Sequence, residues 1–155
     1  MKASIRAAEP TDIPAIIDMG REFFDASGSN SFTSFDEASF TGTVIALMSG
    51  VSGGSLLVAE VAGQVVGMAA CVVFPFYANH ETAIGQEIFW WTSPDYRKGI
   101  GGDLLNELEA EATRKGAKVF IGANISGERD AVFARLYRRR GYVPSENTHI
   151  RILSS

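Results

Sequence analysis

Between Ser93 and Ala112 the chain reads SPDYRKGIGGDLLNELEAEA, three glycines and two cations at the mouth of an amphipathic helix. This stretch constrains the fold most, because it requires a strand end before it and a packed helix after it. Ile100, Leu104, Leu108 and Ala112 fall on one helical face, joined by Leu105, and Gly116 stops the helix. The first backbone N–H groups of a helix lack internal partners, and its dipole leaves positive potential there. Gly99, Gly101 and Gly102 beside Arg97 and Lys98 therefore admit two readings. One is an anion site in which a phosphate approaches the amides closely; the other is only a tight strand-to-helix turn. A P-loop would need Gly-Lys-Ser/Thr, which GIGGDL lacks, and a dinucleotide fingerprint would put glycine where Leu104 stands.

The rest of the chain predicts a mixed α/β domain. SIRAAEP begins a first strand, and a helix follows from Thr11 to about Ala26, with Thr11 as N-cap and Pro14 in its first turn. A weaker helix spans Phe35 to Met48. SLLVAEV and QVVGMAACVVF flank Ala62-Gly63 as a hairpin, and AIGQEIFWWTS makes a third long strand. After the glycine-loop helix, AKVFIGANI reads as a strand. A last helix opens near Asp130, with Val132, Phe133, Leu136 and Tyr137 on its buried face, and THIRIL makes a closing strand. The order β-α-α-β-β-β-α-β-α-β implies a mixed, mostly antiparallel sheet with helices on both faces, not a doubly wound fold.

A chain of 155 residues, 46% hydrophobic and 21% charged, is long enough to bury one core, so residues 1–155 are expected to form a single domain. A net charge of −4, with no long basic stripe, argues against nucleic acid and anionic membranes as partners. There is no secretory leader pattern in MKASIRAAEP and no window of membrane-spanning length. Cys71 is the only cysteine and lies in the apolar run MAACVVF. This predicts a buried structural thiol and a reducing, cytoplasmic setting.

Two motifs in order, with the elements around them, carry a resemblance to the GNAT family of acyl-CoA-dependent N-acetyltransferases, and to the short GNAT proteins of bacteriophage type. SPDYRKGIGGDLL resembles the family's pyrophosphate loop, and ARLYRRRGYVP resembles its Leu-Tyr, three residues, Gly, aromatic pattern. IRAAEPTDIPAI is similar to the usual first strand and helix. The specific part covers about Glu87 to Pro144. One departure stands out: the loop is a residue short, so Tyr96 falls where the family usually has Arg or Gln.

The resemblance implies the GNAT fold, acetyl-CoA as co-substrate and no metal. It places the pyrophosphate on the amides of Arg97, Lys98, Gly99, Ile100, Gly101 and Gly102, with Asp103 pointing away. The pantetheine arm would add to a strand edge at Trp91, Thr92 and Ser93, and Asn124 would complete the slot. Tyr137 would protonate the leaving thiolate. Glu87 is the candidate base, since alternation groups it with the aromatics Phe89 and Trp91, where a carboxylate is desolvated. His80 and Glu81 are weaker candidates, and His149 reads as a strand residue. Of the three arginines in YRRRGY, one would reach the 3′-phosphate of CoA, unless all three only complement a helix end. Phe74, Phe76, Tyr77, Trp90 and Trp91 crowd the expected acceptor mouth. The implied activity is acetyl transfer to a primary amine of a small molecule or peptide. The competing readings are a non-catalytic GNAT-fold module that binds CoA or a protein, and a purely structural protein. Edge strands and exposed aromatics also suit a homodimer.

Overall fold

A computed structural model describes residues 2–154. Five strands form one sheet in the spatial order of the chain. They are β1 (Ser4–Ala7), β2 (Gly54–Val61), β3 (Gln64–Phe76), β4 (Asn79–Thr92) and β5 (Ala117–Ile121). The first four pair antiparallel; β5 alone runs parallel to β4. The helices are α1 (Ile13–Ala26), α2 (Glu37–Met48), α3 (Ile100–Arg114) and α4 (Asp130–Arg139).

Each face of the sheet has its own apolar cluster. On one, Leu104, Leu108 and Ala112 of α3 cover Leu57, Ala59, Ala69 and Cys71. On the other, Ile16 and Met19 of α1 and Val44 and Leu47 of α2 cover Val58, Met68, Ala70 and Phe89. Leu104, Leu105 and Leu108 are fully buried, worth about 2 kcal/mol each, so α3 is anchored firmly beneath the glycine loop. The expected mixed sheet with helices on both faces is therefore present. Ala62 and Gly63 both take positive φ, 51° and 79°, the geometry that a two-residue hairpin turn demands.

Three expectations are corrected. Thr11 is not the N-cap of α1: a 3-10 turn over Pro10–Asp12 precedes the helix, and the Asp12 carboxylate accepts from the Glu9 amide at 2.8 Å. The THIRIL segment forms no strand; it stays unpaired, with Ile150 75% and Leu153 88% exposed. The α4 face is only partly buried, and Val132 is half exposed. A five-residue β5 at the sheet edge gives both α4 and the tail little to pack against.

Asp12 is the buried charge that ties β1 to the start of α1. Arg6 donates to both of its oxygens, at 2.7 and 3.0 Å, and also to Glu60 at 2.8 Å. The Arg6 bonds hold the Asp12 carboxyl below its ordinary range. Its stabilisation is thus present above the unfolded pKa and is lost as pH falls through the folded one. Asp12→Ala is expected to cost about 3 kcal/mol in urea unfolding and to flatten the acid limb of stability, because it leaves Arg6 half paired.

Candidate active site

β4 pairs with β5 only as far as Gln86, opposite Ile121. Beyond that point the two strands part, and the β4 edge from Glu87 to Thr92 has no neighbouring strand. α4 closes the far side. The resulting cleft has a volume of about 570 Å³ and runs from Glu87 past Trp90 and Thr92 to Gly99, Gly101 and Gly102 at the start of α3.

Of the twelve residues expected at the site, Glu87, Trp91, Thr92, Arg97, Gly99, Gly101, Gly102 and Asn124 line this cleft. Gly99 is the N-cap of α3 at φ 95°, where a side chain is strained, and open space surrounds its missing Cβ. Ser93, Lys98, Ile100 and Tyr137 are not on the cleft wall. The Ser93 amide is bonded to Val66 O at 2.9 Å, and Ile100 is buried in the core under the loop. Lys98 lies exposed in the turn.

A bulge changes the placement of Glu87. Ala70 lies opposite Phe89, but Cys71 lies opposite Glu87, so Ile88 is an extra residue in β4. Glu87 therefore faces the α3 side with Trp90, not the α1 side with Phe89 and Trp91 as alternation predicts. Burial raises its pKa to about 7, against a lowering contribution from the Ala123 amide, which donates to Glu87 Oε2 at 3.3 Å. Tyr137 meets the same residue from the other side: its hydroxyl donates to Ala123 O at 2.7 Å. Burial, then the Glu87 and Glu109 charges, push the phenol pKa well up, so its proton is held at neutral pH. The ring stacks on Tyr142 at 4.9 Å and edges Trp90 at 6.5 Å.

Tyr96, the departure in the loop, turns into the core and its hydroxyl donates to Gln64 Oε1 at 3.4 Å. Arg97 instead enters the cleft, with Nε on Thr92 O at 2.9 Å and its guanidinium 4.5 Å over Trp91. The Asn124 amide donates to Asp130 and to Ile125 O, which ties the β5–α4 loop. Arg140 staples α4 to α3 through Asn106 and Gly102 O, while Arg138 and Arg139 stay exposed. Asp103 is exposed, as expected. His80 and Glu81 open β4 at the opposite end of the strand, near Phe76 and Tyr77, and take no part in the cleft. His149 lies in the unpaired tail. Cys71 is buried and burial pushes its thiol up to about 11, consistent with a structural role. Among the described residues, no helix is long and apolar enough to cross a membrane.

Sequence reasoning missed the Thr92 hydroxyl and Arg129. Thr92 is 7% exposed and lines the cleft, and its buried Oγ1 has no hydrogen-bond partner among the described residues. Arg129 lies in the featureless loop SGERDA, and only the fold of α4 over the slot brings it here.

The splayed strand pair opens onto a glycine-capped helix start, a cleft shaped for an extended ligand with an anionic end. The comparisons agree: the chain matches the Acetyltransferase (GNAT) family over residues 18–142 and belongs to that family. No curated protein matches it. The aminoglycoside acetyltransferase AAC(6')-Iy, solved with a CoA–acetylneamine bisubstrate analogue, superposes with TM-score 0.78 at 11% identity, covering 100% of both chains. A predicted acetyltransferase of Clostridium acetobutylicum, solved with acetyl-CoA, gives TM-score 0.74 at 18% identity, covering 98% of this chain and 97% of that one. The ribosomal-protein-alanine N-acetyltransferase of Brucella melitensis gives 0.72 at 16%, covering 97% and 99%. At these identities the likeness is one of fold.

Proposed function

We propose that the protein transfers the acetyl group of acetyl-CoA to a primary amine of a small molecule or peptide. The observation that carries this reading is the β4 edge, unpaired beyond Gln86 and leading straight to the open amides of α3. That edge suits the pantetheine amides at Trp91 to Ser93, and the amides from Gly99 to Gly102 suit the pyrophosphate, whereas those of Arg97 and Lys98 are engaged by Pro94 O and Tyr96 O. Acetyl-CoA supplies the activated acetyl thioester. Glu87, poised near neutrality, takes the proton of the attacking amine directly or through water. Tyr137, which holds its proton firmly, returns one to the sulfur as the C–S bond breaks. The named substrates of the structural neighbours, aminoglycosides and a ribosomal protein, both present amines. The lone buried cysteine suits a reducing cytoplasm. The free β5 edge, with Val119 and Ile121 exposed, suits a homodimer.

One observation favours the alternative, a CoA-binding module without turnover: the Tyr137 hydroxyl is engaged by Ala123 O and lies off the cleft wall. Tyr137→Phe separates the two. Catalysis predicts wild-type turnover with some member of an amine panel that drops about a hundredfold in the variant, with acetyl-CoA affinity kept. Tight acetyl-CoA binding without turnover on any amine would favour the module.

A further inference from the structure

The two walls of the cleft each carry an arginine that forms no ion pair with a carboxylate among the described residues. On the β4 wall, Arg97 is fixed through Nε to Thr92 O and rests on Trp91, so its terminal nitrogens have no partner among the described residues. On the opposite wall, Arg129 is the N-cap of the ten-residue α4. Its guanidinium sits 5.5 Å over Phe133 and has neither hydrogen bond nor ion pair among the described residues. Phe133 in turn edges Trp90 at 5.8 Å, which holds the two walls in register.

A cation at a helix N-terminus opposes the dipole, so Arg129 is placed at an electrostatic cost by the helix that carries it. The two arginines also act on one another: burial first, then the charge of Arg129, hold the Arg97 pKa down. The Glu22 charge relieves this only in part. Glu22 accepts from Trp91 Nε1 at 2.8 Å, and Glu87 lies at the other end of the cleft with its pKa raised by burial. At the end of β4, Thr92 Oγ1 is buried and unpartnered among the described residues, next to Gly101. Two guanidiniums without ion-pair partners, lining one cleft that ends at a helix start, match a ligand with more than one phosphate charge.

We propose that Arg129 and Arg97 clamp the phosphates of the CoA substrate from opposite walls, Arg129 providing from α4 the cation that the shortened loop lacks at Tyr96. This rests on the proposed function and deepens it. The test is calorimetric titration of the full-length protein with CoA and with pantetheine, which lacks the phosphates, at several salt concentrations. Arg129→Gln should keep nearly the wild-type melting temperature, because the exposed side chain makes no hydrogen bond or ion pair among the described residues and its contact with Phe133 is offset by its place at a helix N-terminus. It should weaken CoA about tenfold or more, flatten the salt dependence and leave pantetheine unaffected. Arg129→Lys should recover part of the loss. Equal CoA affinity in Arg129→Gln and wild type would overturn the clamp while leaving the proposed function intact. Equal weakening of pantetheine and CoA would also overturn it, by making Arg129 a shaper of the slot. No binding of CoA by the wild type would overturn the proposed function and the clamp with it.

Discussion

Glu87→Gln is expected to lower kcat/KM for amine acetylation by about a hundredfold or more, the usual scale for a positioned general base. It should also remove a rise in activity centred near pH 7. The sign follows from burial: the carboxyl binds its proton more tightly in the folded chain than in water, so the basic form appears only as pH climbs through about 7. The same shift says what the variant does to stability. A raised carboxyl pKa means that the folded state binds more protons than the unfolded one between 4.5 and about 7, so Glu87 costs stability as pH rises across that window. The cost is roughly 3 kcal/mol at most, and Gln removes it. Glu87→Gln should therefore melt no lower than the wild type at pH 8 while being far less active. A pH–rate profile, measured with a melting curve on both proteins, checks both halves. A variant of wild-type activity would leave proton removal to water, and a limb near pH 7 that persists in the variant would assign that ionisation to another group.

The fold was largely legible in the sequence because its elements announce themselves locally. The α3 stripe of Ile100, Leu104, Leu108 and Ala112, the Ala62-Gly63 turn and the apolar runs of β2 and β3 need no tertiary information. The glycine loop was legible for the same reason: its glycines sit where a strand must become a helix. What failed was non-local. Strict alternation assigned Glu87 to the wrong face, because the bulge at Ile88 leaves no mark in residue type. THIRIL has a strand's alternation but finds no strand to pair with, and alternation is only an offer of pairing. Arg129 was invisible for a third reason. Its meaning comes from α4 folding back over β4, which the Trp90–Phe133 contact records and the loop sequence does not. The run of three arginines after Tyr137 is the louder signal in the sequence, and in the fold Arg140 bonds α4 to α3 through Asn106 and Gly102 O.

Gly101→Glu is expected to abolish detectable acetyl-CoA binding without unfolding the protein. A Cβ at Gly101 would lie 3.3 Å from Trp90 Cζ2 and 3.6 Å from Thr92 Oγ1. A glutamate there is directed at the floor of the cleft, between the β4 edge and the first turn of α3. Its charge would stand where the proposed pyrophosphate must lie, and at 4 Å two such charges repel by about 4 kcal/mol even at an effective dielectric of about 20. That alone corresponds to a loss near a thousandfold. The fold should survive: Gly101 is within the first turn of α3, where an acid suits the helix dipole, and its φ is not one that excludes a side chain. Gly101→Ala separates charge from bulk, because the 3.3 Å contact asks Trp90 to give by only a few tenths of an ångström. Calorimetry should show near-normal binding by the alanine variant and none by the glutamate variant. If alanine abolishes binding as fully as glutamate, the slot is limited by space against Trp90, and the electrostatic account of the α3 start is wrong. If glutamate binds normally, the phosphates lie elsewhere, and the unpaired edge of β4 does not lead to them.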